Sequence, residues 1–237
     1  SCKRGAIVFV DASQGDVLAM ASWPPINPNW FIPAISQADF DSLRLNPENP
    51  LIPRAYRSAY PPGSTFKVFV GLAAMQSGKI SPDDTFNCPA SMEIGNLTFR
   101  NWKKEGSGEL NFIEALTQSC NPYFYQVGLR IGARPIYEVA QHLGLGQRTG
   151  IPLASEAGGR IPTDDYMLKV YKRKFMPGDI ANLSIGQGDT LVSPLQMAQA
   201  MAAIGNGGTL LQMRLVQQVQ TLDNAIVTAY DPRARGM

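Results

Sequence analysis

Residues 60–79 read YPPGSTFKVFVGLAAMQSGK, and the rest of the chain is best understood outward from them. Two prolines and a glycine lead into an almost wholly apolar run from Phe66 to Met75, and Gly78 is placed to end it. Proline and glycine ahead of the run supply a turn, and a glycine behind it can adopt the left-handed backbone that closes a helix. A helix that is apolar on every side is a buried one. The stretch therefore predicts a central buried helix with Ser64 and Lys67 on its first turn. Residues three apart on a helix share a face, so hydroxyl and amine can meet. A serine hydroxyl is a weak nucleophile until a neighbouring base takes its proton. Lysine is such a base only where its ammonium form is disfavoured, which burial beside Phe66, Val68 and Phe69 would achieve. A bare S-x-x-K also arises by chance, as a helix cap beside a snorkelling lysine, so it carries a function only in company.

Downstream, LNFIEALTQSCNPYFYQVGLRIG (110–132) reads as two short helices. Asn111 can cap the first, with Glu114 three residues on, and Asn121 can cap the second with Pro122 in its first turn. Ser119, Cys120 and Asn121 then lie in the tight link between them. Taken alone, that link is a helix end with its cap. Chemically, a second hydroxyl can relay a proton, and an amide beside it can both donate to and accept from a peptide group. SPLQMAQAMAAIGNGG (193–208) repeats the helix logic: Ser193 caps, Pro194 opens, Gln196 completes a capping box and Gly205 stops.

Upstream, GAIVFV, DASQGD and VLAMAS read as strand, turn and strand. Residues 23–63 form a long Pro- and Asn-rich connection with one helical piece, SQADFDSLR, capped by Ser36 with Asp39 three residues on. The tail, TLLQMRLVQQVQ and then NAIVTAY, suggests another strand pair. With no internal repeat and no low-complexity tract, one mixed domain in which helices dominate is expected.

Composition narrows the function classes. The 237 residues are 44% hydrophobic and 17% charged with a net charge of +2, ordinary for a globular chain able to bury a sizeable core. There is no basic stripe to suggest nucleic acid; YKRKF, with Lys172 and Lys174, reads as a solvated turn. Cys2, Cys88 and Cys120 are too few and scattered for a disulfide framework, leave at least one thiol free, and do not fix the compartment. The single histidine, His142, sits at the end of a helix-like run and reads as a surface or capping residue, which leaves little room for histidine-based catalysis or metal binding. No stretch approaches a membrane span. The abrupt start at SCKRGAIVFVD and end at YDPRARGM read as cuts.

Together, YPPGSTFK, SCNPYFYQVG, GLGQRTGIPL (144–153) and NLSIGQGDTLVSPLQMAQAMAAIGNGG (182–208) resemble the class B penicillin-binding proteins. GAIVFVDASQGDVLAMAS and FRNWKKEGSGELNFIEALTQSCN are similar to the same family, in particular to its branch that serves the elongation of rod-shaped walls. The resemblance runs from Gly5 almost to the last residue. It implies a mixed α/β (α+β) fold of the penicillin-binding and serine β-lactamase-like transpeptidase type, an antiparallel sheet flanked by helices. It also implies a peptidoglycan D,D-transpeptidase without cofactor or metal. Ser64 would attack the D-Ala-D-Ala carbonyl of a stem peptide, with Lys67 as base and Ser119 as proton relay. Asn121 would hold the donor peptide and orient Lys67, and the Ser64 N–H would form half of the oxyanion hole. Expected partners are stem peptides, β-lactam antibiotics and a membrane glycosyltransferase of the elongation machinery, with no nucleic acid. The expected location is the inner membrane, with the catalytic domain in the periplasm.

The family's third motif, K-T-G or K-S-G, is absent. Arg148-Thr149-Gly150 looks like it but lies in a segment that matches a different part of the family. The domain is accordingly expected to lack its C-terminal strands, and the family's anchor and pedestal are expected to be absent as well. As an isolated chain it is expected to show little or no acylation. Cys120 is expected to be a small filler. A zinc site on Cys88 is disfavoured because Ser107 stands where some relatives show histidine, and Gly186-Gln187-Gly188 is expected to be a structural turn. The rival functions are a β-lactam hydrolase or sensor, for which no water-activating group can be named, and a non-catalytic scaffold.

Overall fold

The computed structural model describes residues 3–235, so the reading of Cys2 lies outside the described residues. In chain order the elements are β1 (Gly5–Val10), β2 (Val17–Trp23), α1 (Gln37–Arg44), α2 (Lys67–Gln76), β3 (Phe86–Cys88), β4 (Ser91–Ile94), β5 (Leu97–Arg100) and β6 (Gly108–Leu110). Then follow α3 (Phe112–Thr117), α4 (Asn121–Ile131), α5 (Ala133–His142), α6 (Asp164–Tyr171), α7 (Pro177–Leu183), α8 (Pro194–Gly205), β7 (Gln218–Gln220) and β8 (Ile226–Ala229). The strands form four antiparallel pairs: β1 with β2, β3 with β6, β4 with β5, and β7 with β8. Contacts gather into two compact units: residues 3–59, 143–159 and 192–235 make one, residues 60–142 and 160–191 the other.

In the first unit, β1 and β2 pair in register from Gly5 opposite Trp23 to Phe9 opposite Ala19. Their turn is held by Asp11, whose carboxylate accepts the Ser13 N–H at 2.7 Å. Alternation, with the register shift between Phe9 and Val10, turns Val8, Val10, Val17 and Met20 to one face, where they pack on buried Ile151, Leu195 and Met213. α8 lies against β1, and its start shows the expected capping box between Ser193 and Gln196. Gly205 ends the helix from within its last turn, and Asn206 is the C-cap. Ser36 caps α1 by accepting the Asp39 N–H, as the sequence suggested.

In the second unit, α2 is buried as its composition requires: Phe69, Val70, Ala73 and Ala74 are all inaccessible or nearly so. Burying a side chain the size of Phe69 is worth ~1.5–3 kcal/mol. Gly71 is needed because a Cβ there would stand 2.3 Å from the ring of Phe112, at the start of α3. α4 packs on α2, α5 and α7 through Tyr123, Phe124, Val127 and Ile131. Rings cluster along it, with Phe124 edge-on to Phe112 and Tyr123 edge-on to Phe86. His142 is the exposed last residue of α5. Lys172 and Lys174 are exposed, while Arg173 between them is paired with Asp179.

Two expectations need correction here. The Ser64 segment is a separate 3-10 turn, Gly63–Phe66, and α2 begins at Lys67. A Pro-Pro-Gly entry favours tight i→i+3 bonding before the apolar helix takes over. Further, Cys88 and Cys120 form a disulfide across 32 residues of sequence, so Cys120 is no mere filler. The β3–β6 pairing brings the end of β3 up to the link between α3 and α4, which no spacing rule foretells. In the chain-entropy view a crosslink closing a loop of this length contributes about 3–4 kcal/mol.

Candidate active site

Three segments of the second unit converge. The 3-10 turn presents Ser64, the first residue of α2 is Lys67, and the link between α3 and α4 carries Ser119 and Asn121. Ser64 is exposed, whereas Lys67 is 0% accessible although its side chain ends in a charge. The Nζ of Lys67 donates to the Ser119 carbonyl at 2.8 Å, to Ser119 Oγ at 3.1 Å and to Asn121 Oδ1 at 2.7 Å. Those three bonds use all the donors of an ammonium group. Nζ also stands 5.2 Å from the centre of the Phe124 ring. Among the described residues it has no carboxylate partner, and burial pushes its pKa down to about 8.

The hydroxyl of Ser119 donates to Ser64 Oγ at 2.9 Å. Ser119 Oγ thus stands between Ser64 Oγ and Lys67 Nζ: the Ser64 hydroxyl is bonded to Ser119, while the Lys67 backbone N–H donates to the Ser64 carbonyl. Hydroxyl protons rotate, so with Lys67 neutral the same three atoms can carry a proton from Ser64 through Ser119 to Nζ. Sequence reasoning placed the lysine directly on Ser64. That Ser119 bridges them depends on a fold-back of 52 residues and has no local signal.

The local chain explains how the link reaches its shape. Asn111 and Glu114 form the expected capping box at α3. The N-cap of α4, however, is Cys120, whose Sγ accepts the Tyr123 N–H at 3.3 Å, and Asn121 is the first helical residue. This one-residue shift from the sequence reading frees the Asn121 amide for Lys67. Ser119 has φ of +51°, a left-handed backbone that is uncommon for a residue with a side chain and costs of order 1–3 kcal/mol.

The turn that carries Ser64 is braced by the segment expected to be a structural turn. The Gly63 N–H donates to the Gly186 carbonyl at 3.0 Å. Gly186 has φ of +65°, and a Cβ on it would lie 2.5 Å from the Gly63 oxygen. Ser64 is the second residue of its 3-10 turn, a position where backbone N–H groups generally lack an intrahelical acceptor. The Arg148-Thr149-Gly150 look-alike belongs to the other unit. Thr149 is fully buried, and its N–H and hydroxyl are both taken up by Glu156 at 2.7 Å. Among the described residues no group of acidic, histidine and cysteine side chains forms a metal site, and the sulfur of Cys88 is committed to the disulfide.

The sequence and fold that carry this arrangement have clear counterparts. Residues 5–234 match the family model of the penicillin binding protein transpeptidase domain. The chain belongs to the penicillin-binding protein transpeptidase family. Among curated relatives, peptidoglycan D,D-transpeptidase MrdA of Acinetobacter baumannii is 37% identical over 209 residues, 87% of this chain and 31% of that protein. Among solved structures, the penicillin-binding protein PBP2 of Helicobacter pylori, in complex with MreC, superposes with a TM-score of 0.85 at 35% identity. That match covers 90% of this chain and 40% of the other. Penicillin-binding protein A of M. tuberculosis, as an imipenem acyl-enzyme, superposes with a TM-score of 0.82 at 28% identity, covering 98% of this chain and 53% of that one. The chain thus spans about a third of the length of the MrdA relative. The transpeptidase fold inferred from the motifs is the fold observed.

Proposed function

We propose that this domain performs the acyl-transfer chemistry of a peptidoglycan D,D-transpeptidase, with Ser64 as nucleophile, Lys67 as base, Ser119 as relay and Asn121 as substrate-holding and lysine-orienting amide. The observation that carries the reading is the hydrogen-bonded path from Ser64 Oγ through Ser119 Oγ to a buried Lys67 that, among the described residues, has no carboxylate partner. With Lys67 neutral, Ser64 loses its proton along that path as its oxygen attacks the carbonyl of the penultimate D-alanine. The C–N bond breaks, and the proton held on Lys67 returns through Ser119 to the departing D-alanine amine. An amine of a neighbouring stem peptide then attacks the ester and gives its proton to the same relay, which returns it to the Ser64 oxygen as the acyl C–O bond breaks. The Ser64 N–H steadies the oxyanion at each addition. A β-lactam would acylate Ser64 by the same first step.

The 237 residues contain no K-T-G or K-S-G triplet, so the second oxyanion donor and the carboxylate-binding groups of the family are assigned to no residue here. By similarity to the relatives, we place the domain on the extracytoplasmic side of a bacterial inner membrane. A disulfide is at home in that oxidising compartment. Among the described residues no helix is long and apolar enough to cross a membrane. Proposed partners are stem peptides, β-lactams, and components of the elongation machinery such as an MreC-like protein and a membrane glycosyltransferase.

Intact-mass spectrometry after exposure to a penicillin tests the proposal, on the protein at its natural length and on the 237-residue chain, each beside Ser64→Ala. The expected result is a stable adduct on the natural-length protein that vanishes in Ser64→Ala, with little adduct on the 237-residue chain. An adduct that forms and is shed within minutes would indicate a hydrolase. A folded natural-length protein that stays blank would leave only the scaffold reading.

A further inference from the structure

The link that carries Ser119 and Asn121 is held from outside by residues with no part in the chemistry above. Cys120, between the two, is bonded to Cys88 at the end of β3, and both sulfur-bearing residues are buried, at 1% and 0% exposure. The Asn101 Oδ1 accepts the Asn121 N–H at 3.3 Å, while its Nδ2 donates to Cys88 Sγ at 3.5 Å. One residue on, the Trp102 indole N–H donates to the Gln118 carbonyl at 3.0 Å. The Cys88 carbonyl accepts the Ser107 N–H at 2.7 Å, so the β3 end is itself tied to the loop after Asn101. Residues 118, 120 and 121 are thus each anchored by a different contact, around Ser119, whose backbone is left-handed.

All three acceptors of Lys67 lie on Ser119 and Asn121, on either side of the crosslinked Cys120. An unfavourable backbone conformation persists only where the surroundings over-determine it. We propose that Cys88 and Asn101 are positioning residues for the transfer reaction: through the disulfide and the side-chain bridge they hold the Ser119–Asn121 link in its left-handed turn, and so set the aim and the basicity of Lys67. This rests on the reading of Lys67 as base. Because neither sulfur is open to solvent, the crosslink is a permanent brace and not a reversible redox switch. A crosslink serving stability alone would lower the melting temperature when removed but leave Lys67 where it is.

The test compares the natural-length protein with Cys88→Ser/Cys120→Ser, Asn101→Ala and Asn101→Asp, each checked for folding by circular dichroism. Second-order acylation by a fluorescent penicillin is measured across pH. The brace predicts a fall of about tenfold or more in the double variant and in Asn101→Ala, since small misplacements of a catalytic group are costly in rate. It also predicts that the acid limb of the pH profile moves, and that Asn101→Asp, which keeps the acceptor for Asn121, recovers part of the loss. A folded double variant with a lower melting temperature but an unmoved rate and pH profile would overturn the proposal. If the double variant does not fold, Asn101→Ala, which keeps the disulfide, decides by the same two readouts. If the unaltered protein is not acylated at all, the functional reading fails separately. The brace is then judged by hydrogen exchange of the Ser119 and Asn121 amides: faster exchange in Asn101→Ala upholds it and unchanged exchange overturns it.

Discussion

Arg54 and Lys67 are both buried cations, 6% and 0% exposed, and among the described residues neither is paired with a carboxylate. Arg54, in the first unit, donates to the carbonyls of Glu48, Asn49 and Ile52 and so closes the loop that precedes it. Lys67, in the second, donates to two oxygens of Ser119 and one of Asn121. Bond for bond the two look alike. The difference lies in what each can give up. A guanidinium keeps its charge, so burying it is tolerable only as a fixed structural clamp. An ammonium can shed a proton when desolvated, and one of its acceptors here leads on to an exposed hydroxyl. On the proposed reading, the same local contacts are structural in one place and chemical in the other.

Swapping the charge type sharpens this contrast most. Lys67→Arg keeps a cation and its donors but removes the base, and acylation of the natural-length protein should fall roughly 10³- to 10⁴-fold, read by penicillin labelling. Ser119→Ala cuts the path while leaving both ends, and should cost on the order of 10²-fold in the same assay. Arg54→Met leaves three carbonyls without their donor. It should lower unfolding stability by ~1–3 kcal/mol in a denaturant titration, with acylation per folded molecule unchanged. Arg54→Lys, which cannot span three carbonyls with a planar fork, should cost about 1 kcal/mol. A large loss of acylation in either Arg54 variant would break the comparison.

Much of this was written locally. The Pro-Pro-Gly entry and the apolar run located the buried helix. The caps at Ser36, Asn111 and Ser193 were legible because a capping residue and its partner lie three positions apart. The β1–β2 hairpin was legible because alternation and turn residues are local too. What escaped depends on contacts far apart in the chain. The Cys88–Cys120 crosslink needs the β3–β6 pairing. The α4 cap at Cys120 goes with the bond from Lys67 to Asn121, and the bridging place of Ser119 with the left-handed turn of the link, and both join residues more than 50 positions apart. Arg148-Thr149-Gly150 shows the converse, a plausible motif whose hydroxyl is consumed by a neighbouring carboxylate.

The pH dependence of penicillin acylation tests the central claim most directly. A buried Lys67 that must be neutral to act predicts a rate that is low in acid, rises as pH climbs through about 8 where Lys67 loses its proton, and levels off above. The rise should track the titration of Lys67 itself and disappear in Lys67→Arg. A rate independent of pH from well below that value to well above it would contradict the account.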